Sequence, residues 1–269
     1  MILLLKFVLL SLLIGIIVSA VRFFMIPGIE NTCRALDYSS KAKGQLLGYA
    51  TSTPELVIVI SSAIAGVFDV GFWNIASSNI INWILFLFAV FLYRQYRDLK
   101  KKTFIDELSF GVLSVIIPLI LNSYKINDSI FLAISLLIFF FIYKKLDLIF
   151  NRKVSFQGDT GSKNGLFTGI LKLILGIIII VVVGRFLGKI TEELVVELGI
   201  STWIVGWILG FVSSIPEMSG FFEIYRKHKM NGTLQGVDGT QEALDTLVAS
   251  NMSNLGIILP IGMIIVVLL

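Results

Sequence analysis

Eight apolar runs constrain this chain more than any other feature: approximately residues 2–22, 46–66, 70–93, 104–122, 129–149, 165–187, 201–225 and 242–268. About 20 helical residues cross the roughly 30 Å of bilayer hydrocarbon, and a backbone in lipid must satisfy its own hydrogen bonds. Runs of this length favour helices over a barrel. With 56% of residues apolar or aromatic, 15% charged and a mean hydropathy of +0.91, a soluble domain could not hide the apolar surface. The expected fold class is all-α integral membrane, with about eight transmembrane helices. The first run has almost no basic leader, and Val18-Ser19-Ala20 is a poor cleavage site, so it reads as a retained helix.

Two of the runs carry the same polar element. Gly48-Tyr49-Ala50-Thr51-Ser52-Thr53-Pro54-Glu55 matches Gly210-Phe211-Val212-Ser213-Ser214-Ile215-Pro216-Glu217, with glycine, hydroxyls, proline and carboxylate in one register. Each is followed by a helix containing Ser-Asn-x-x-Asn, at Ser78 to Asn82 and at Ser250 to Asn254. An i,i+4 pair shares one helix face, so each stripe can present its oxygens to a Pro-Glu element. Pro54 and Pro216 lack the amide proton and disfavour helical geometry at the preceding residue, which predicts a break beside the hydroxyls. An isolated proline usually only kinks a membrane helix, and a Ser/Asn stripe is often interhelical glue. A membrane carboxylate costs several kcal/mol to bury, and its presence points to function. Paired in order, the four elements read as one cation site. Its candidate residues are Glu55, Glu217, Thr51, Ser52, Ser213, Ser214, Ser78, Asn82, Ser250 and Asn254. Hydroxyl, amide and carboxylate oxygens suit hard cations, and two carboxylates offset a divalent ion.

Basic residues set the expected orientation. The connections after the odd-numbered spans hold seventeen Lys and Arg, from Arg22 to Lys229, against Lys125, Arg185 and Lys189 on the other face. Lys6 and Lys172 fall within spans. The richer face is expected in the cytoplasm, with both termini outside, and the cell (inner) membrane is the expected location. The two Pro-Glu elements then run in opposite directions, as in an inverted-topology repeat. The expected division is a first repeat at 1–150 with its motif at 48–82, a cytoplasmic linker at 151–164, and a second repeat at 165–269 with its motif at 210–254. The net charge of +4 and pI near 9.1 suit loops facing anionic lipid and require no nucleic acid. Asp106 and Glu107 read as dipole-complementing acids at a helix start, and Glu242 and Asp245 as a solvated helix start.

The two motif regions resemble the alpha-repeats of the cation/calcium exchanger superfamily, which includes sodium/calcium exchangers. The resemblance implies an antiporter that exchanges calcium for sodium, or for protons in related branches, by alternating access. It implies that Glu55 and Glu217 are the central ligands, that the hydroxyl and amide residues named above line the site, and that spans one and six slide past the ion-binding core. Asn254 stands where sodium/calcium exchangers commonly carry Asp. The family usually has ten helices, so the second repeat here is shortened, and a second copy of the chain is a candidate cover for the flank left open.

Other chemistry lacks its residues. His228 and Cys33 are each the only one of their kind, and the chain has no His-Glu-x-x-His helix and no phosphate loop followed by Lys-Ser or Lys-Thr. No enzyme activity and no cofactor is expected. The expected partners are the lipid bilayer and calcium, sodium or hydrogen ions. A calcium/proton antiporter and a non-transporting ion-binding membrane protein stay open as alternatives.

Overall fold

A computed structural model describes residues 2–36, 40–124, 129–150 and 164–269. It is helical throughout, with no strand among the described residues. The first repeat comprises α1 (Ile2–Ala20), α2 (Ile26–Ala35), α3 (Ser40–Thr51), α4 (Thr53–Ile64), α5 (Phe68–Leu92), α6 (Ile105–Ser123) and α7 (Ile130–Phe150). The second comprises α8 (Asn164–Leu198), α9 (Thr202–Ser213), α10 (Ile215–Met230), α11 (Asp238–Ser253) and α12 (Leu259–Leu268). The expected linker at 151–164 lies, but for its last residue, outside the described residues.

Among the described residues, seven segments are long and apolar enough to cross a membrane: Val8–Cys33, Lys41–Ile64, Phe68–Leu92, Lys102–Ser123, Gly165–Ile190, Thr202–Met230 and Asp238–Leu268. The remaining expected span is α7, which is helical over 21 residues but carries Lys144, Lys145 and Asp147 in its last two turns. Span one reaches well past its expected end at residue 22, because a π-helical turn, Val21–Met25, carries the helix into Pro27. The same device recurs at Asn254–Ile258, ahead of Pro260. Widening the turn accommodates a residue that has no amide to donate. Span six also continues, through α8 to Leu198, where Glu193 and Glu197 bind Lys6 of α1 at 3.0 and 2.7 Å.

The repeats interlock. The most extensive helix contacts are those of α3 with α11 and of α5 with α9, so each broken span packs on the stripe-bearing helix of the other repeat. Small residues permit the approach. A Cβ at Gly44 or Gly48 would strike the Glu242 or Thr246 carbonyl, and one at Gly206 or Gly210 would strike Trp73 or Ser77. Each pair is Gly-x-x-x-Gly, the spacing that brings membrane helices close together. Outside this core, α1 and α2 lie along α8, and α7 covers α12.

Candidate ion-binding site

Both broken spans break at the expected residue. Helix α3 ends at Thr51 and α4 starts at Thr53, with Ser52 between them at ψ 2°. Helix α9 ends at Ser213 and α10 starts at Ile215, with Ser214 between them at ψ −4°. Pro54 removes the amide that would bond the Ala50 carbonyl, and the Thr53 hydroxyl replaces it at 2.7 Å. Glu55 and Glu217 fall in the first turns of α4 and α10, where the helix dipole favours a carboxylate.

All ten candidate residues are buried, none more than 2% exposed. Interlocking brings them together across the repeats. Ser213 faces the Glu55 carboxylate and Thr51 faces that of Glu217, and the two carboxylates lie within electrostatic reach of each other. Ser250 Oγ donates to Glu217 Oε1 at 3.1 Å and lies 2.9 Å from Ser52 Oγ. Asn82 Nδ2 donates to Asn251 Oδ1 at 3.1 Å, and Asn254 Nδ2 to Asn79 Oδ1 at 2.9 Å and Ser78 Oγ at 3.3 Å.

These bonds engage the amide nitrogens of the stripes and leave buried oxygens over. Both oxygens of Glu55, Glu217 Oε2, Asn82 Oδ1, Asn254 Oδ1 and Ser214 Oγ are buried with no hydrogen-bond partner. Asn74 Oδ1 joins them, while its Nδ2 donates to Ser213 Oγ at 3.2 Å. Buried polar atoms are nearly always satisfied, so a cluster of unpartnered oxygens around two carboxylates requires an explanation. A cation gathers oxygens in this way.

Asn74 is not among the ten expected site residues, although it lies four residues before Ser78 on the stripe that includes Asn82. Asn79 and Asn251 are the glue of the stripes: each donates to the other's carbonyl, at 3.3 and 3.0 Å. Asn79 also donates at 2.9 Å to Ser114 O, the carbonyl deprived of its helical partner by Pro118. The solvated helix start expected at Glu242 and Asp245 is corrected, since these are only 3% and 2% exposed. Lys43 binds Glu242 at 2.8 Å and Lys41 binds Asp245 at 3.3 Å, because α3 lies on α11. Lys41 and Lys43, expected in a connection, therefore begin the second span.

A multi-pass helical membrane protein whose inverted repeats bring two buried carboxylates to one oxygen-lined centre is the class that this fold and site define. The chain belongs to the sodium/calcium exchanger protein family, whose model matches residues 6–145 and 168–268. The family consists of transporters, so the protein is not an enzyme. Similar solved structures include the sodium-calcium exchanger NCX_Mj, at 20% identity over 98% of this chain and 83% of that one, with a TM-score of 0.60. They also include the H+/Ca2+ exchanger CAX, at 17% identity over 98% of this chain and 68% of that one, with a TM-score of 0.67. At these identities the likeness is one of fold. A search of curated proteins gave no significant match.

Proposed function

We propose that the protein exchanges calcium for sodium across a membrane by alternating access. The ion would be held by Glu55 and Glu217 with Thr51, Ser52, Ser213, Ser214, Ser78, Asn82, Ser250 and Asn254 around them. The observation that carries this reading is the set of unpartnered oxygens: the amide nitrogens of Asn82 and Asn254 are engaged by protein, while their oxygens and those of Glu55 are left over. Two carboxylates balance one divalent ion, and the same hydroxyl and amide oxygens suit sodium.

Alternating access needs a path to each side. A cavity of about 410 Å³ between α2 and α10 is lined by Arg22, Glu30, Met218, Ser219 and Lys227 among others, and Met218 adjoins Glu217. Access through it would come from the basic face, and the distribution of Lys and Arg supports a cytoplasmic position for that face, with both termini outside.

Proton coupling is the second reading, favoured by Asn254, which leaves the centre with Glu55 and Glu217 as its carboxylates. A buried carboxyl that takes up a proton can take the place of a metal-bound carboxylate. Reconstituted vesicles loaded with calcium separate the readings. Flux driven by an imposed sodium gradient at constant pH supports sodium exchange, and flux driven only by a pH gradient supports proton exchange. Calcium binding without either flux would leave a non-transporting ion-binding protein.

A further inference from the structure

The basic end of the bundle is closed in two different ways. On one side Lys41 of α3 is held by Asp147 of α7, Glu107 of α6 and Asp245 of α11, at 2.7, 3.0 and 3.3 Å, and Gln45 donates to Asp147 Oδ2 at 2.8 Å. These three carboxylates are at most 5% exposed, so four helices are fixed to one another through a buried ammonium. On the other side α2 and α10 flank the cavity of about 410 Å³, and the ion pair that crosses it joins Lys227 of α10 to Glu30 of α2.

Lys227 has a second partner within reach. Its Nζ lies 3.8 Å from Glu223 Oε1, four residues earlier on α10. A glutamate placed four residues before a lysine is the more favourable order of a helical i,i+4 pair. Glu223 already accepts from Arg226 at 2.8 Å, and a carboxylate has room for both donors. The side chains of Lys227, Glu30 and Glu223 are 36%, 21% and 28% exposed. Water therefore reaches the pair, and a pair in contact with water is held weakly. Exchanging Glu30 for Glu223 keeps the ammonium partnered, so α2 can part from α10 without leaving Lys227 bare. Lys41 has no such freedom, because taking one member out of a buried ion pair leaves an uncompensated charge.

We propose that Lys227 is a latch on the basic-side access path: bonded to Glu30 it closes the cavity, and bonded to Glu223 it lets α2 and α10 separate. The inference deepens the transport reading and rests on it. The cavity runs along α10 from Met218, the residue after Glu217, to Lys227, a rise of about 14 Å over nine residues (227 minus 218). Closed, the latch stands an ammonium across the route that a calcium ion would take, and like charges repel. Glu30, Glu223 and Lys227 are positioning residues: they act on access and leave the ligands of the centre untouched.

The rate at which a small uncharged maleimide labels Ser219→Cys tests it, in the full-length protein reconstituted in vesicles. Glu30→Gln releases Lys227 to Glu223 and is expected to raise the rate at least about threefold. Glu223→Gln takes away the second partner and is expected to lower it by a similar factor. The two changes remove the same charge from the same cavity, so electrostatics or loosened packing alone would move both rates in one direction. Lys227→Gln should match Glu30→Gln, and takes its place if that variant does not fold, while Lys227→Arg should keep the parent rate. Unchanged rates, or rates that move in the same direction in the two glutamate variants, overturn the latch. So does Lys227→Arg labelling as fast as Lys227→Gln. Labelling needs no transport: wild-type vesicles without calcium flux overturn the transport reading, whereas these rates overturn the latch alone.

Discussion

Ser52 Oγ lies 2.9 Å from Ser250 Oγ, joining the break in the first repeat to the last long helix of the second. Ser250 spends its proton on Glu217, so Ser52 must donate to Ser250 and forgo the Gly48 carbonyl, which is also 2.9 Å away. Each serine has one proton. A change at Glu217 is therefore felt at the opposite break through two hydroxyls.

Glu55→Gln and Glu217→Gln each remove one of the two central charges without changing shape. Each is expected to weaken calcium binding by about a hundredfold, about 2.7 kcal/mol, and to abolish calcium flux in vesicles. Flux left intact in both variants would show the centre to be misplaced.

Asn254→Asp puts an acceptor where Nδ2 now donates to Asn79 Oδ1 and Ser78 Oγ. Thermal unfolding without calcium should report a loss of about 1–3 kcal/mol. Calcium should restore more stability to this variant than to wild type, since the added charge faces the bound ion. An equal calcium effect in both would remove Asn254 from the site.

Asn79→Ala withdraws the donor for Ser114 O and Asn251 O, and about 1–3 kcal/mol should be lost as these carbonyls go unsatisfied. Pro118→Ala returns an amide to Ser114 O. In a double-mutant cycle the cost of Asn79→Ala should fall in the Pro118→Ala background, and strict additivity would refute the coupling.

Gly210→Val forces a side chain into Ser77 and the backbone of α5. Overpacking of this kind typically costs about 1–3 kcal/mol, and the yield of monodisperse protein in detergent should fall. Gly199→Ala is the control: it tests a loop glycine at φ 59° with open space around it, and should leave helix packing and calcium binding intact.

Ser219→Cys places a thiol on the wall of the cavity between α2 and α10, whereas the native Cys33 is buried. A water-soluble maleimide should label the variant and spare the parent chain. In oriented vesicles, labelling confined to the side opposite the termini checks the expected topology.

The breaks, the stripes and the pairing of the two Pro-Glu elements were legible in the sequence because their causes are local. A missing proline amide acts within one turn, and an i,i+4 spacing fixes a face wherever the helix goes. Asn74 was equally local and lay one turn earlier on a stripe already identified. The environment of Lys41 was not legible: its partners Glu107, Asp147 and Asp245 come from three other helices, so a basic residue near a span boundary resembled an ordinary loop lysine. Glu242 looked solvated for the same reason, with Lys43 supplied by α3.

The packing of α3 on α11 also bears on how the chain is made. Asp245 is synthesised 204 residues after Lys41 (245 minus 41), which at about 5–20 residues per second is a delay of about 10–40 s. Through that interval α3 has neither its closest neighbour nor the carboxylate of Asp245. Lys41 and Gln45 must wait in water, at the interface or against the insertion machinery. The two halves of the centre therefore cannot mature in turn, and the helix made early is completed by one made near the end of synthesis.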